Sequence, residues 1–358
     1  MNLKVLSIAT GILLVLAVAG VVIDRNWDDA RDGARVGKVL LEDIDMTQAG
    51  SIEILSEEGT IDLKVENGAW VVEQQDGFPA GLSKIQSFLF RLSRARIEHK
   101  VTENPERLAE LGLLTLEENG DKFEKDKTAT VFTINDAEGK RLYRLYIGAD
   151  RRSKSGQSLR APIGGQYVRF PDEAAAYLIA NPLFLEREAQ DWLRAEIFDF
   201  DHEKQLRRVR LRQPGKKELV LSRDDPEKPW RVSGIDEAKL DMEEVKDLAR
   251  RVAELEVSRV AARGRGEKEL GRSELAVIDL DLFDKRSYRV EIGLESADED
   301  FRYVKFSATV DASVEDESLK KSVAEFNDVF AKRRIAVYEW EAEQVVKAGK
   351  DLLKLDKK

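Results

Sequence analysis

Tyr143-Arg144-Leu145-Tyr146-Ile147-Gly148 is answered, later in the chain, by Tyr288-Arg289-Val290-Glu291-Ile292-Gly293. The segments that follow also match, Gln166-Tyr167-Val168-Arg169-Phe170 against Arg302-Tyr303-Val304-Lys305-Phe306. A match of this kind, repeated in the same order elsewhere, points to two copies of one unit and decides how the rest is read.

Working backwards, strands are expected at Thr130-Val131-Phe132-Thr133-Ile134 and at Ala276-Val277-Ile278-Asp279-Leu280. Before them, Ala109-Glu110-Leu111-Gly112 ends a short helix capped by Asn104 and opened by Pro105. Its counterpart is Lys268-Glu269-Leu270-Gly271. A longer amphipathic helix precedes each, with Leu82, Ile85, Phe88, Leu89 and Leu92 on one face in the first copy. In the second the face carries Val245, Leu248, Ala249, Val252 and Leu255. Each copy opens with a meander. Ser51-Ile52-Glu53-Ile54, Ile61-Asp62-Leu63-Lys64-Val65 and Trp70-Val71-Val72 form the first, with Asn67-Gly68 turning before the tryptophan. Val209-Arg210-Leu211, Leu219-Val220-Leu221 and Pro229-Trp230-Arg231-Val232 form the second.

The joint is also expected to recur, Trp192 to Gln205 resembling Phe330 to Gln344, with a closing helix from about Glu341 to Lys354. The expected fold is α+β: an N-terminal transmembrane helix, then two tandem, internally duplicated units with antiparallel sheets. The boundaries are 1–23 for the anchor, 24–37 for a juxtamembrane stalk, 38–190 and 191–333 for the repeats, and 334–358 for a C-terminal strand and helix.

Val5 to Ile23 runs nineteen residues without a charge. As a helix it is about 28 Å long, enough to cross the hydrocarbon core of a bilayer. Ala17-Val18-Ala19 offers the competing reading of a cleaved signal peptide, but the apolar run continues through Val21, Val22 and Ile23. Arg25, Arg31, Arg35 and Lys38 follow the helix and oppose the positive-inside rule, with Asp24, Asp28, Asp29 and Asp32 among them. The expectation is a single-pass protein of the cytoplasmic membrane, in the bilayer through residues 5–23, with the large domain outside the cytoplasm.

The chain has 358 residues, 36% of them charged, and a net charge of −10, with both signs mixed throughout. A nucleic-acid partner needs a concentrated basic face, which this balance opposes. Cysteine is absent, so disulfides, thiolate nucleophiles and cysteine metal sites are excluded. Of the two histidines, His99 reads as the charged end of a helix and His202 as a surface residue. No Gly-x-Ser-x-Gly elbow occurs, and Gly264-Arg265-Gly266 fits neither dinucleotide nor Walker spacing. Asp279, Asp281 and Asp284 lack the loop glycine and terminal glutamate of an EF-hand. Asp279 and Asp281 alternate with apolar neighbours, placing them on the solvent face of a strand. No catalytic, metal or cofactor residues are assigned. Arg151, Arg152 and Lys154 form a basic loop between matching strands, absent from the second copy, and are the candidate partner contact. Trp70, Trp230, Phe88 and Tyr167 are expected in the core.

The chain resembles the bacterial envelope family catalogued as domain of unknown function 4340. The resemblance is carried by the N-terminal apolar helix, Asn67-Gly68-Ala69-Trp70, Leu111-Gly112-Leu113, Leu145-Tyr146-Ile147-Gly148 and Trp192-Leu193-Arg194. Family members often carry a more basic hinge than Trp192-Leu193-Arg194-Ala195. Members are commonly encoded beside ABC transporters of the gliding-motility type. The resemblance therefore implies a non-enzymatic accessory or scaffolding subunit whose partner is an ABC permease. The competing expectation is an envelope hydrolase or carbohydrate-binding protein with an acidic cleft between the repeats.

Overall fold

The computed structural model describes residues 35–42, 44–152, 163–236, 239–295, 298 and 300–347. The expected anchor and most of the stalk lie outside them, as does Lys154. Among the described residues no helix is long and apolar enough to cross a membrane.

The chain divides into Met1–Trp192 and Leu193–Lys358. The first unit holds β1 (Ala49–Ser56), β2 (Gly59–Glu66), β3 (Ala69–Val72), β4 (Phe78–Pro79), α1 (Leu82–Arg94), β5 (Ile97–Thr102), β6 (Thr130–Asp136), β7 (Arg141–Arg152), β8 (Ile163–Arg169) and β9 (Ala176–Ile179). Its nine-stranded sheet runs β4-β3-β2-β1-β6-β7-β8-β9-β5, with every pairing antiparallel. Because β5 pairs at the edge opposite β4, the connection through α1 must cross one face of the sheet. Phe88 anchors it there, its ring 4.9 Å from that of Phe132 and 6.2 Å from that of Trp192. Ile85, Phe88, Leu89 and Leu92 are buried, each stabilising by roughly 1.5–3 kcal/mol relative to exposure. Leu82 departs from the expected apolar face. It is the first residue of the helix and is exposed.

The second unit holds α2 (His202–Gln205), β10 (Leu206–Arg212), β11 (Leu219–Ser222), β12 (Arg231–Val232), α3 (Met242–Ala253), β13 (Arg259–Val260), β14 (Leu275–Leu282), β15 (Arg286–Gly293), β16 (Phe301–Val310), α4 (Glu317–Phe330), β17 (Ile335–Tyr338) and α5 (Glu339–Lys347). Its eight strands run β12-β11-β10-β14-β15-β16-β17-β13. The order is that of the first sheet without a counterpart of β4. Asp241 caps α3, accepting from Glu243 N at 3.1 Å. Leu255, expected on that helix, is buried just beyond its end.

The two registers correspond residue by residue. Ile52 pairs with Leu63, which pairs with Val72; Val209 pairs with Leu221, which pairs with Val232. Trp70 and Trp230 therefore occupy the same place, two residues upstream. Phe132 faces Leu145 as Ile278 faces Val290, which sets Gly148 against Gly293. Ile147 faces Val168 as Ile292 faces Val304, which sets Tyr167 against Tyr303.

Several expectations are corrected. Trp230 and Phe88 are buried, but Trp70 and Tyr167 are only half-buried. His99 lies in β5 and not at a helix end. Ile335-Ala336-Val337-Tyr338 forms β17, inside the second sheet, so it is no separate C-terminal element. The segment compared with it, Ile197 to Phe200, forms no strand; it packs on the sheet through side chains, the rings of Phe198 and Phe200 lying 5.3 and 5.5 Å from that of Tyr288 in β15. Helix α4 was not expected at all; it fills the β16–β17 connection, where the first unit has a short loop between β8 and β9.

Candidate functional site

The turns and glycines that carry the repeat are close-packing devices. Leu108 to Leu113 wraps up with Leu113 N donating to Leu108 O and Gly112 N to Ala109 O. Arg272 N to Glu267 O and Gly271 N to Lys268 O repeat the pattern. Gly112 and Gly271 both sit at positive φ, +66° and +64°, the left-handed conformation such a helix end requires. Each turn then lies on a strand glycine. A Cβ on Gly148 would stand 2.4 Å from Leu111 O, and one on Gly293 would stand 2.7 Å from Gly271 O. The Leu-Gly and Ile-Gly motifs thus explain each other as packing.

The remaining sequence candidates do not converge. His99 is exposed. His202 is half-buried, and its backbone oxygen accepts from Arg223. Arg265 of the glycine loop binds Asp298 and the Tyr303 hydroxyl, both at 3.0 Å. Asp279, expected on a solvent face, is buried between Arg212 and Arg289. Asp281 is held by Arg210 and by the Ser287 hydroxyl. Cross-strand neighbours Arg208, Arg210 and Arg212 cover these carboxylates, which is why alternation alone misplaced them. Asp284 pairs with Arg286. Among the described residues no group of three metal-binding side chains occurs. Arg151 and Arg152 end β7, and Arg151 is exposed.

A surface that sequence reading missed lies beside α1. Ser83, Lys84, Ser87 and Arg91 on the helix, with Phe184, Glu186, Asp191 and Trp192, line an open groove of about 340 Å³. Its far wall is pinned by cations. Lys84 Nζ donates to Asp191 O at 2.6 Å, and Arg91 Nε to Leu183 O at 2.9 Å. Leu183 N in turn donates to the buried Gln166 side chain at 3.0 Å. Held this way, Phe184 sits at φ +49° and is 62% exposed. Leu82 and Phe90 on α1 are exposed as well. Burial, and then the charge of Glu186, raise the Asp191 carboxyl above the usual carboxylate range, while Lys84 opposes the shift. An exposed aromatic in a rarely used backbone conformation is a feature that interaction sites commonly show.

Arg194, in the hinge motif, lies with its guanidinium 5.6 Å from the Phe330 ring centre. Burial pulls its pKa down. Its Nε is buried without a hydrogen-bond partner among the described residues.

These features define an α+β protein of two antiparallel-sheet units whose recurring motifs serve packing. The model of the family described as Domain of unknown function (DUF4340) matches residues 70–271, more than half of the chain, and the chain belongs to that family. The match begins at Trp70 and ends at Gly271, enclosing both Leu-Gly turns, Gly148 and the Trp192-Leu193-Arg194 hinge. No curated protein and no solved structure matches the chain.

Proposed function

We propose that this chain is a non-enzymatic accessory or scaffolding subunit, held in the cytoplasmic membrane by residues 5–23 and docking a membrane protein of the ABC permease class. The observation that carries the reading is the groove beside α1. It displays Phe184 to solvent on a wall fixed by Arg91 and Lys84, and the helix on its other side, α1, carries the exposed Leu82 and Phe90. Large apolar side chains exposed together mark contact surfaces more often than they mark chemistry. An anchor restricts the domain to the membrane plane and raises the effective concentration of a membrane partner without any new contact. The transporter class of the partner comes from the family resemblance alone.

The two units are proposed to be copies of one ancestral unit. Their common strand order, the register equivalence of Trp70 with Trp230 and the paired Gly148 and Gly293 support this. Arg151 and its neighbours remain a second proposed contact at the end of β7.

Three measurements test the role. Mass spectrometry of the mature protein should find Met1 or Asn2 at its N-terminus; Gly20 there would mean that the apolar segment is cleaved. Co-purification of a permease should be lost when residues 1–23 are removed and should survive replacement of either histidine. A turnover on ester, phosphate or glycoside substrates, abolished by changing one acidic residue, would instead favour a hydrolase.

A further inference from the structure

The second unit carries an aromatic row that the first lacks. The Arg259 guanidinium lies 3.8 Å from the centre of the Phe301 ring. Phe301 stacks on Tyr338, with centroids 5.3 Å apart and planes 28° apart. Tyr338 stacks on Trp340 at 6.4 Å and 23°. The row therefore runs from a cation at one end to an open indole at the other. Exposure rises along it: Phe301 is half-buried, Tyr338 is 44% exposed and Trp340 is 59% exposed.

The register shows that the fold does not require this row. Phe301 pairs with Tyr338 one step beyond the Arg302–Val337 pair, whereas the first unit's β8–β9 pairing stops at Gln166–Ile179. The next positions there are Gly165 and Ala180, and His99 stands where Arg259 stands. Gly165 has no room for a side chain, since a Cβ would stand 2.4 Å from Ile179 O. The same sheet edge folds with no aromatic ring at either position.

Glu339 and Glu341 flank Trp340 in sequence, and Glu339 is paired with Arg302. Glu341 Oε2 accepts from Tyr338 N at 3.3 Å, which holds that carboxylate beside the stack. An indole face is the strongest aromatic acceptor of a cation, and a planar guanidinium both stacks on it and forks onto a carboxylate. Arg259 already makes this kind of contact at the closed end.

We infer that Trp340, with Tyr338 behind it and Glu341 beside it, is a docking site for an arginine side chain presented by a partner protein. The site deepens the docking reading but stands on residues remote in sequence from the α1 groove. Its failure would leave co-purification through the groove intact, and the two can be told apart.

The test is a calorimetric titration of the chain, held in nanodiscs, with an acetylated and amidated peptide of alternating arginine and glycine. Citrulline-for-arginine and lysine-for-arginine versions and a chitin trisaccharide complete the set. The arginine peptide should bind, the lysine version about threefold more weakly and the citrulline version at least tenfold more weakly. Trp340→Leu should weaken the arginine peptide about tenfold without shifting the melting temperature, as expected of an exposed ring. Tyr338→Leu should weaken it less. Equal binding of the citrulline and arginine peptides would overturn the inference. So would saturable binding of the trisaccharide without the peptide, or an affinity untouched by Trp340→Leu.

Discussion

In the first unit Leu113 drops back onto Leu108 and closes the Leu-Gly turn with an apolar contact inside a buried cluster. In the second, the equivalent closure is an ion pair, Arg272 Nε to Glu267 at 2.7 Å. The backbone hydrogen bonds, the left-handed glycine and the strand glycine beneath are common to both. Arg272 is almost fully buried and also donates to Glu291 and to Tyr303 O at 3.2 Å. One backbone device thus admits two solutions for its closing side chain. Leu113 needs only neighbours of suitable shape, whereas Arg272 needs every donor matched, since a buried charge left unpaired costs several kcal/mol. The wider surfaces follow suit. The first sheet sets Thr133 beside Arg144, while the second builds the ladder of Arg210, Arg212, Asp279, Asp281 and Arg289.

The comparison breaks most sharply at this turn. Arg272→Ala should destabilise the second unit by about 3–5 kcal/mol, because Glu291 and two carbonyls lose their donor. Recreating the first unit's closure with Glu267→Leu and Arg272→Leu together still leaves Glu291 and the two carbonyls without that donor, so it should recover only about 1–2 kcal/mol of the loss. Differential scanning calorimetry of the chain reads both. A double variant as damaged as Arg272→Ala would show that the ion pair does more than close a turn.

The equivalent tryptophans give the next contrast. Trp230 is buried, with Arg223 4.7 Å from its ring centre, and Trp230→Ala should cost about 3–5 kcal/mol. Trp70 is half-buried, and Trp70→Ala should cost about half as much, since less apolar area returns to water. Equal costs in urea unfolding would contradict the burial difference.

A smaller effect separates the units by pH. Burial, with Glu256 adding to it, raises Glu341 to about 7 from the ordinary glutamate value. The folded state then holds this proton more tightly than the unfolded chain does. Its contribution is complete below the unfolded pKa and is lost as pH rises through about 7. Allowing for partial exposure, the second unit should lose about 1–2 kcal/mol between pH 5 and pH 8 from this group. Glu341→Gln should flatten that dependence. At the small end, His202→Ala should change stability by less than about 0.5 kcal/mol, as expected of a side chain outside the core.

What could be read from the sequence was set by how local its cause is. The meanders, the two amphipathic helices, Asn104 and the paired glycines depend on short-range periodicity and turn chemistry, and they appear where expected, apart from Leu82, which is exposed, and Leu255, which lies just past its helix. Helix α4 was passed over because its buried contacts, Val323 and Phe330, are sparse along a polar segment; Asp316, accepting from Ser318 N at 2.8 Å, was the available signal. Asp279 looked exposed because alternation reports which face a residue is on and not what covers that face. The α1 groove and the Phe301–Tyr338–Trp340 row were not legible, since each joins segments distant in sequence. Arg91 meets Leu183 and Arg259 meets Phe301 only once the sheets have formed.

The docking role is the central claim, and crosslinking in native membranes followed by mass spectrometry tests it most directly. The account predicts crosslinks from residues around Phe184 and Leu82 to a transporter permease, lost with Phe184→Asp and unchanged by His99→Ala. Recovery of no membrane protein, together with a purified chain that turns over a substrate through one charged residue, would contradict it.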